Sequence, residues 1–193
     1  EAIYWLGQSY LESEEIMGAR KVAARQLYEK ALTSTNNHPL LLVGRGHLDL
    51  LENKPDAARQ AFESAITASR GRKGNDPKIL YGVSRAITDS KTGDFDYAVK
   101  LMKEVVDIDK NNAMYWVALG DAYRKAGKGE GGGDAFKSYK KALEVNPSYA
   151  RASLRLAQLF ESQRNGEFFH SYLQESVQKD AGFSAGYFEL FYY

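Results

Sequence analysis

Cysteine is absent from the 193-residue chain, so disulfides, thiolate metal sites and cysteine nucleophiles are excluded. Reducing and oxidising compartments both tolerate such a sequence, and the compartment stays open. No apolar run reaches the roughly 18 residues a membrane-spanning helix needs, and the chain starts at Glu1 without a basic-then-apolar leader. A start without Met, already helical in pattern at Ile3-Tyr4-Trp5-Leu6-Gly7, reads as a trimmed or processed piece. Excess charge of one sign is also missing, with 26 basic against 25 acidic residues, so a broad nucleic-acid footprint is not supported. Histidine is scarce, and His38, His47 and His170 lie too far apart in sequence for a ligand pair or a nucleophile-base pair.

What is present is a rhythm. Ala24, Ala58, Ala98, Ala135 and Phe169 recur at spacings of 34, 40, 37 and 34 residues. Around the clearest unit stand Trp116, Leu119, Gly120 and Tyr123, then Ala135, Tyr139, Ala142 and Leu143, then Asn146-Pro147. That pattern resembles the tetratricopeptide repeat at every marker position. The resemblance implies an all-α fold: a right-handed α-solenoid of about five helix pairs plus a final helix. The approximate repeats are 1–37, 38–76, 77–111, 112–147, 148–182 and a partial 183–193 in one array. The first repeat carries Gly7, Tyr10, Tyr28 and Ala31, with a lengthened loop near Ser13 to Met17. The second has Gly46, where two helices must approach closely, and then Ala58, Phe62 and Ala65. Met102 and Val105 replace the usual aromatic and alanine in the third. Two insertions break the periodicity: Arg70 to Asp76, expected as an exposed loop, and the glycine run Gly127 to Gly133.

Within each pair, a large side chain such as Trp116, a small one such as Gly120 and an aromatic such as Tyr123 alternate knobs with gaps. Trp116 is therefore expected in the core, with Tyr139 and Phe62 filling space toward the next pair. The ending Phe183 to Tyr193 is apolar on more than one face, whereas a complete array usually closes on a polar one. The natural protein is expected to continue, a dimer through those aromatics being the alternative, and the oligomeric state stays open.

Chemistry finds little support. The glycine run joins helix to helix and lacks the Gly-Lys-Ser/Thr ending of a phosphate cradle. Neighbouring carboxylates such as Asp94 with Asp96 and Asp107 with Asp109 read as turns or solvated faces. The cations Arg70, Arg72 and Lys73 read as a solvated loop rather than a phosphate or membrane contact. The chain is therefore read as no enzyme, and no cofactor or metal is implied.

Tetratricopeptide arrays line a concave groove with their first helices, and the resemblance places Tyr4, Gln8, Val43, His47, Val83, Ile87, Met114, Val117, Asp121, Arg151, Arg155 and Gln158 there. Such a floor changes from apolar to basic toward the C-terminal end. Chaperone-adaptor members clamp a terminal carboxylate with Lys and Asn on two first helices and a basic pair on the third. Arg151 and Arg155 match the basic pair, but Val83, Ile87 and Ala118 stand where polar groups belong, so a full clamp is not expected. The reading is a noncatalytic protein-interaction scaffold: an apolar stretch of a partner protein or peptide packs on Val83, Ile87, Met114 and Val117, and Arg151 and Arg155 fix an acidic group. Ranked behind it are a helper or spacer domain of a larger envelope or enzyme complex, and then a nucleic-acid-binding helical repeat.

Overall fold

The computed structural model describes residues 2–11, 17–35, 37–71, 74–128 and 133–180. The lengthened loop near Ser13, most of the glycine run and the aromatic ending from residue 183 lie outside the described residues. Among the described residues ten α-helices follow one another: α1 (Ala2–Leu11), α2 (Met17–Ser34), α3 (Pro39–Leu51), α4 (Pro55–Ser69), α5 (Pro77–Asp89), α6 (Phe95–Ile108), α7 (Ala113–Lys125), α8 (Asp134–Val145), α9 (Ala150–Ser162) and α10 (Gly166–Lys179). The chain forms two compact units, Glu1–Leu101 and Met102–Tyr193.

Local chemistry starts and stops these helices. Proline opens α3, α4 and α5, where a missing N–H costs nothing. Side chains of His38, Asp76 and Asn112 accept from Leu40, Lys78 and Met114 amides at 3.3, 2.9 and 3.2 Å. His38 is thus a helix-start residue. The ends of α3, α7 and α9 share one device. Asn53, Gly127 and Arg164 adopt φ of 59°, 73° and 56°. The next amide then reaches back to Asp49, Tyr123 and Phe160 carbonyls at 2.8, 2.8 and 3.0 Å. Asn53 and Arg164 do this without glycine's freedom. The Arg70–Asp76 insertion includes a small antiparallel bridge between Gly71 and Gly74, both exposed as expected.

In the first unit α1 packs on α2, α3 on α4, and first helices pack on one another, α1 on α3 and α3 on α5. The glycine-aromatic fit is literal. A Cβ at Gly7 or Gly44 would collide with the Tyr28 ring, and one at Gly46 with Phe62. Tyr28 is fully buried between two successive first helices, and Val43 meets α5 at Gly82. Arg25 of α2 ties this stack to the end of α3, donating to Asp49 Oδ1 at 3.0 Å and to Glu52 Oε2 at 2.7 Å.

In the second unit α7 packs on α8 and α9, α8 on α9, and α9 on α10. Tyr139 lies against Gly120 of its own pair. Leu154, Ala157, Phe169 and Leu173 close the α9–α10 contact. Trp116 corrects the sequence expectation. It is only half-buried, its indole N–H donating to the Lys110 carbonyl at 2.8 Å, so it braces the start of α7 rather than filling the core. Tyr123 and Ala122 take the buried positions.

Candidate functional site

The first helices carry the residues expected to face a partner, and packing separates them into two classes. Tyr4, Val43, Val83, Ile87 and Val117 are buried, so the expectation of an apolar groove floor at these positions is corrected. Val43 faces α5 at Gly82, and Ile87 lies against the turn at Gly93, so packing within the first unit takes up part of the apolar stripe. Met114 remains half-buried. The polar members, by contrast, reach one another.

In the first unit His47 Nδ1 lies 2.9 Å from Gln8 Oε1. Gln8 Nε2 donates to Tyr28 Oη at 3.4 Å, and Tyr28 Oη donates to the Tyr4 carbonyl at 3.3 Å. With the Gln8 amide turned this way its oxygen faces His47, so Nδ1 carries the imidazole proton. The recess bounded by Tyr4, Gln8, His47, Arg85 and Asp89 holds only about 10 Å³, close to a single water. Burial pushes the His47 pKa down, with Asp89 raising it and Arg85 lowering it further.

The sign follows from linkage. The unfolded chain takes up a proton near pH 6.5, which the buried ring of the folded chain resists. His47 therefore leaves stability intact above that pH and erodes it as pH falls below, until the folded ring also protonates. Thermal melts between pH 7.5 and 5 should show this loss, and His47→Asn should flatten that limb. An unchanged limb in the variant would place the titration elsewhere.

In the second unit Arg155 of α9 pairs with Asp121 of α7 at 2.9 Å and donates to Gln158 Oε1 at 2.8 Å. Tyr139 Oη donates to Asp121 Oδ1 at 2.8 Å. Burial first, and then the Asp121 charge, push the Tyr139 phenol up, so it remains a donor. Arg155 thus already has an acidic partner within the fold and is a positioned member of a network. Arg151, one turn earlier on α9, is exposed. A shallow depression beside the network is lined by Arg124, Arg155, Gln158, Glu161 and Ser162.

The sequence reading missed a cleft in the first unit. A space of about 470 Å³ opens between α4, the α5–α6 turn and the start of α6, with Leu50, Ala58, Phe62, Ile87 and Tyr97 among its walls. Here α4 meets α5 along a thinner contact than α2 meets α3 or α8 meets α9. The signal available in sequence was the insertion between α4 and α5. Among the described residues, no cluster of three or more His, Asp or Glu side chains is placed to hold a metal, and no helix is long and apolar enough to cross a membrane.

No protein-family model matches the sequence, and no curated protein matches it. Solved structures do. PilF of Pseudomonas aeruginosa superposes with a TM-score of 0.62 at 17% identity, covering 96% of this chain and 78% of its own. YrrB, described as a TPR protein with an unusual peptide-binding site, gives 0.57 at 15% identity, over 98% of this chain and 97% of its own. MamA gives 0.56 at 16% identity, over 84% and 90%. At these identities the likeness speaks to fold. Joined to the glycine-aromatic fits at Gly7, Gly44, Gly46 and Gly120, it gives the chain an all-α helical-repeat fold of the tetratricopeptide type.

Proposed function

We propose that the chain is a noncatalytic scaffold that binds a partner protein or peptide on the first-helix faces of its helix pairs. The observation that carries this reading is the Asp121–Arg155–Gln158 network. It joins two successive first helices and holds a polar, partly exposed surface in place before any partner arrives. A surface fixed in this way leaves most of the ordering entropy to the partner. The peptide-binding site attributed to YrrB, on a similar fold, supports the same use of the scaffold here.

The partner segment is acidic in this reading. Arg151 and Arg124 are the exposed cations beside the network, and charge-assisted bonds from guanidinium to carboxylate give both attraction and geometry. Arg155 sets the register through Asp121 rather than acting as the anchor itself. The former apolar contacts at Val83, Ile87 and Val117 drop out, leaving Met114 as the accessible apolar member of that set.

Affinity capture from soluble and envelope extracts, followed by mass spectrometry, tests this. The unaltered chain is compared with an Arg124→Glu/Arg151→Glu variant whose helicity and melting are unchanged. A partner held by the former should lose about tenfold or more in affinity for the latter, the scale of reversing two interface charges. An identical catch from both, or no catch, would overturn the reading.

A further inference from the structure

The cleft between α4 and the α5–α6 turn belongs to neither the first-helix faces nor the packing of a regular repeat. Phe62 and Ile87 form its buried floor, and Leu50 and Tyr97 are half-buried walls. Space of this size, apolar with a few polar groups at its rim, lies in the range of ligand pockets, roughly 300 to 1,000 Å³.

Three charged side chains stand at the mouth: Arg59 and Glu63 on α4, and Asp94 on the α5–α6 turn. Asp94 accepts from the Tyr97 amide at 2.9 Å, which caps α6 and holds its carboxylate in place. Among the described residues neither Glu63 nor Asp94 has an ion-pair partner. Arg59 adds one positive charge against these two negative ones. The imbalance favours a cation over an anion at the rim.

The geometry points to a second docking site in this cleft, for a peptide segment that inserts one bulky aromatic or branched side chain and carries Lys or Arg directly beside it. This goes beyond the acidic segment proposed for the first-helix faces, and it asks for the opposite charge. The inserted side chain packs against the half-buried walls Leu50 and Tyr97, above the buried Phe62 and Ile87, while the neighbouring cation meets Glu63 and Asp94. Burial of an aromatic anchor supplies most of the affinity, and the charges set direction and partner choice.

The test uses three capped, fluorescently labelled peptides: Ser-Leu-Trp-Leu-Lys-Lys, its form with alanine in place of tryptophan, and Ser-Leu-Trp-Leu-Glu-Glu. Anisotropy gives affinity, and methyl NMR of Leu50 and Ile87 gives location. The first peptide should bind saturably and shift those methyls. The alanine form should bind about thirtyfold or more weakly, the scale of losing an anchor residue. The Glu-Glu form should be weaker than the Lys-Lys form. Glu63→Lys with Asp94→Asn removes the acidic rim while Asn keeps the cap, and should weaken the first peptide about tenfold. Thr92→Trp, at an exposed position on the turn, should block it. Equal affinities for the Lys and Glu peptides, insensitivity to both variants, or no saturable binding of any peptide would overturn the proposal. Because Arg124 and Arg151 are untouched, any of these results leaves the first-helix reading to its own test.

Discussion

Tyr139→Ala should lower the unfolding free energy by about 3 to 5 kcal/mol, the usual cost of emptying an aromatic core position. In a chain of this length each kcal/mol moves the midpoint by about 2 to 4 °C, so the melt should fall by roughly 6 to 20 °C. Tyr139 has no exposed surface, lies on Gly120, and donates a hydrogen bond from its hydroxyl to Asp121. Truncation therefore opens a cavity and strips Asp121 of a donor at the same time. Gly120→Leu attacks the same contact from the other side. A leucine in an exposed helix would be favoured over glycine by several tenths of a kcal/mol. Here the ring stands where the new Cβ must go, and overpacking should cost about 1 to 3 kcal/mol. The double variant is the discriminating one. If the introduced leucine drops into the space that Tyr139 vacates, the pair should cost less than the sum of the singles by about 1 kcal/mol or more. Circular dichroism with urea titration measures all three. Strict additivity would mean that Gly120 is needed for a reason other than the ring.

The same contact explains why the fold was legible from sequence. A glycine on one helix and an aromatic on the next are a steric pair, and their recurrence as Gly7 with Tyr28, Gly46 with Phe62 and Gly120 with Tyr139 follows from local spacing alone. Helix starts were equally readable, because Pro39, Pro55 and Pro77 fix their own φ whatever surrounds them. Trp116 was misplaced because its size suits a core position, while its indole N–H finds a carbonyl at the helix start. The groove set divides by chemistry into buried apolar members and bonded polar ones. Position along a first helix was enough to bring Gln8 to His47 and Asp121 to Arg155, yet it could not say how wide a stripe the packing consumes. Val43, Val83, Ile87 and Val117 fell inside that stripe. Gly44 shows the same limit: it answers to Tyr28 of the preceding pair, a contact between repeats rather than within one. The cleft was out of reach for a related reason. An insertion changes the spacing between helix pairs, and its length alone does not reveal which walls separate.

Charge makes the remaining large expectation. Arg25→Ala should cost roughly 2 to 3 kcal/mol, somewhat below the 3 to 5 found when a fully buried pair is broken. Asp49 is only 2% exposed, and without Arg25 its nearest cation is Arg45, at 3.9 Å. Water cannot make up the difference at that depth. The discount from the full value reflects Arg25 itself, whose side chain keeps a quarter of its surface, and the Arg45 contact that survives. Replacing both charges, as Arg25→Met with Asp49→Leu, should cost less than Arg25→Ala alone, since it removes the buried carboxylate along with its partner. Glu52 supplies a second readout. Burial raises its pKa, but hydrogen bonds from Lys54 and Arg25 outweigh this and hold the carboxyl below its ordinary 4.5. A depressed carboxylate stabilises the fold above that pH and loses its contribution as pH falls through the folded value. Urea unfolding from pH 7 to 3 should therefore show an acid limb beginning near 4.5, smaller in Arg25→Ala than in the unaltered chain. Limbs of equal size would assign the whole effect to Lys54, and Arg25 would then act on Asp49 alone.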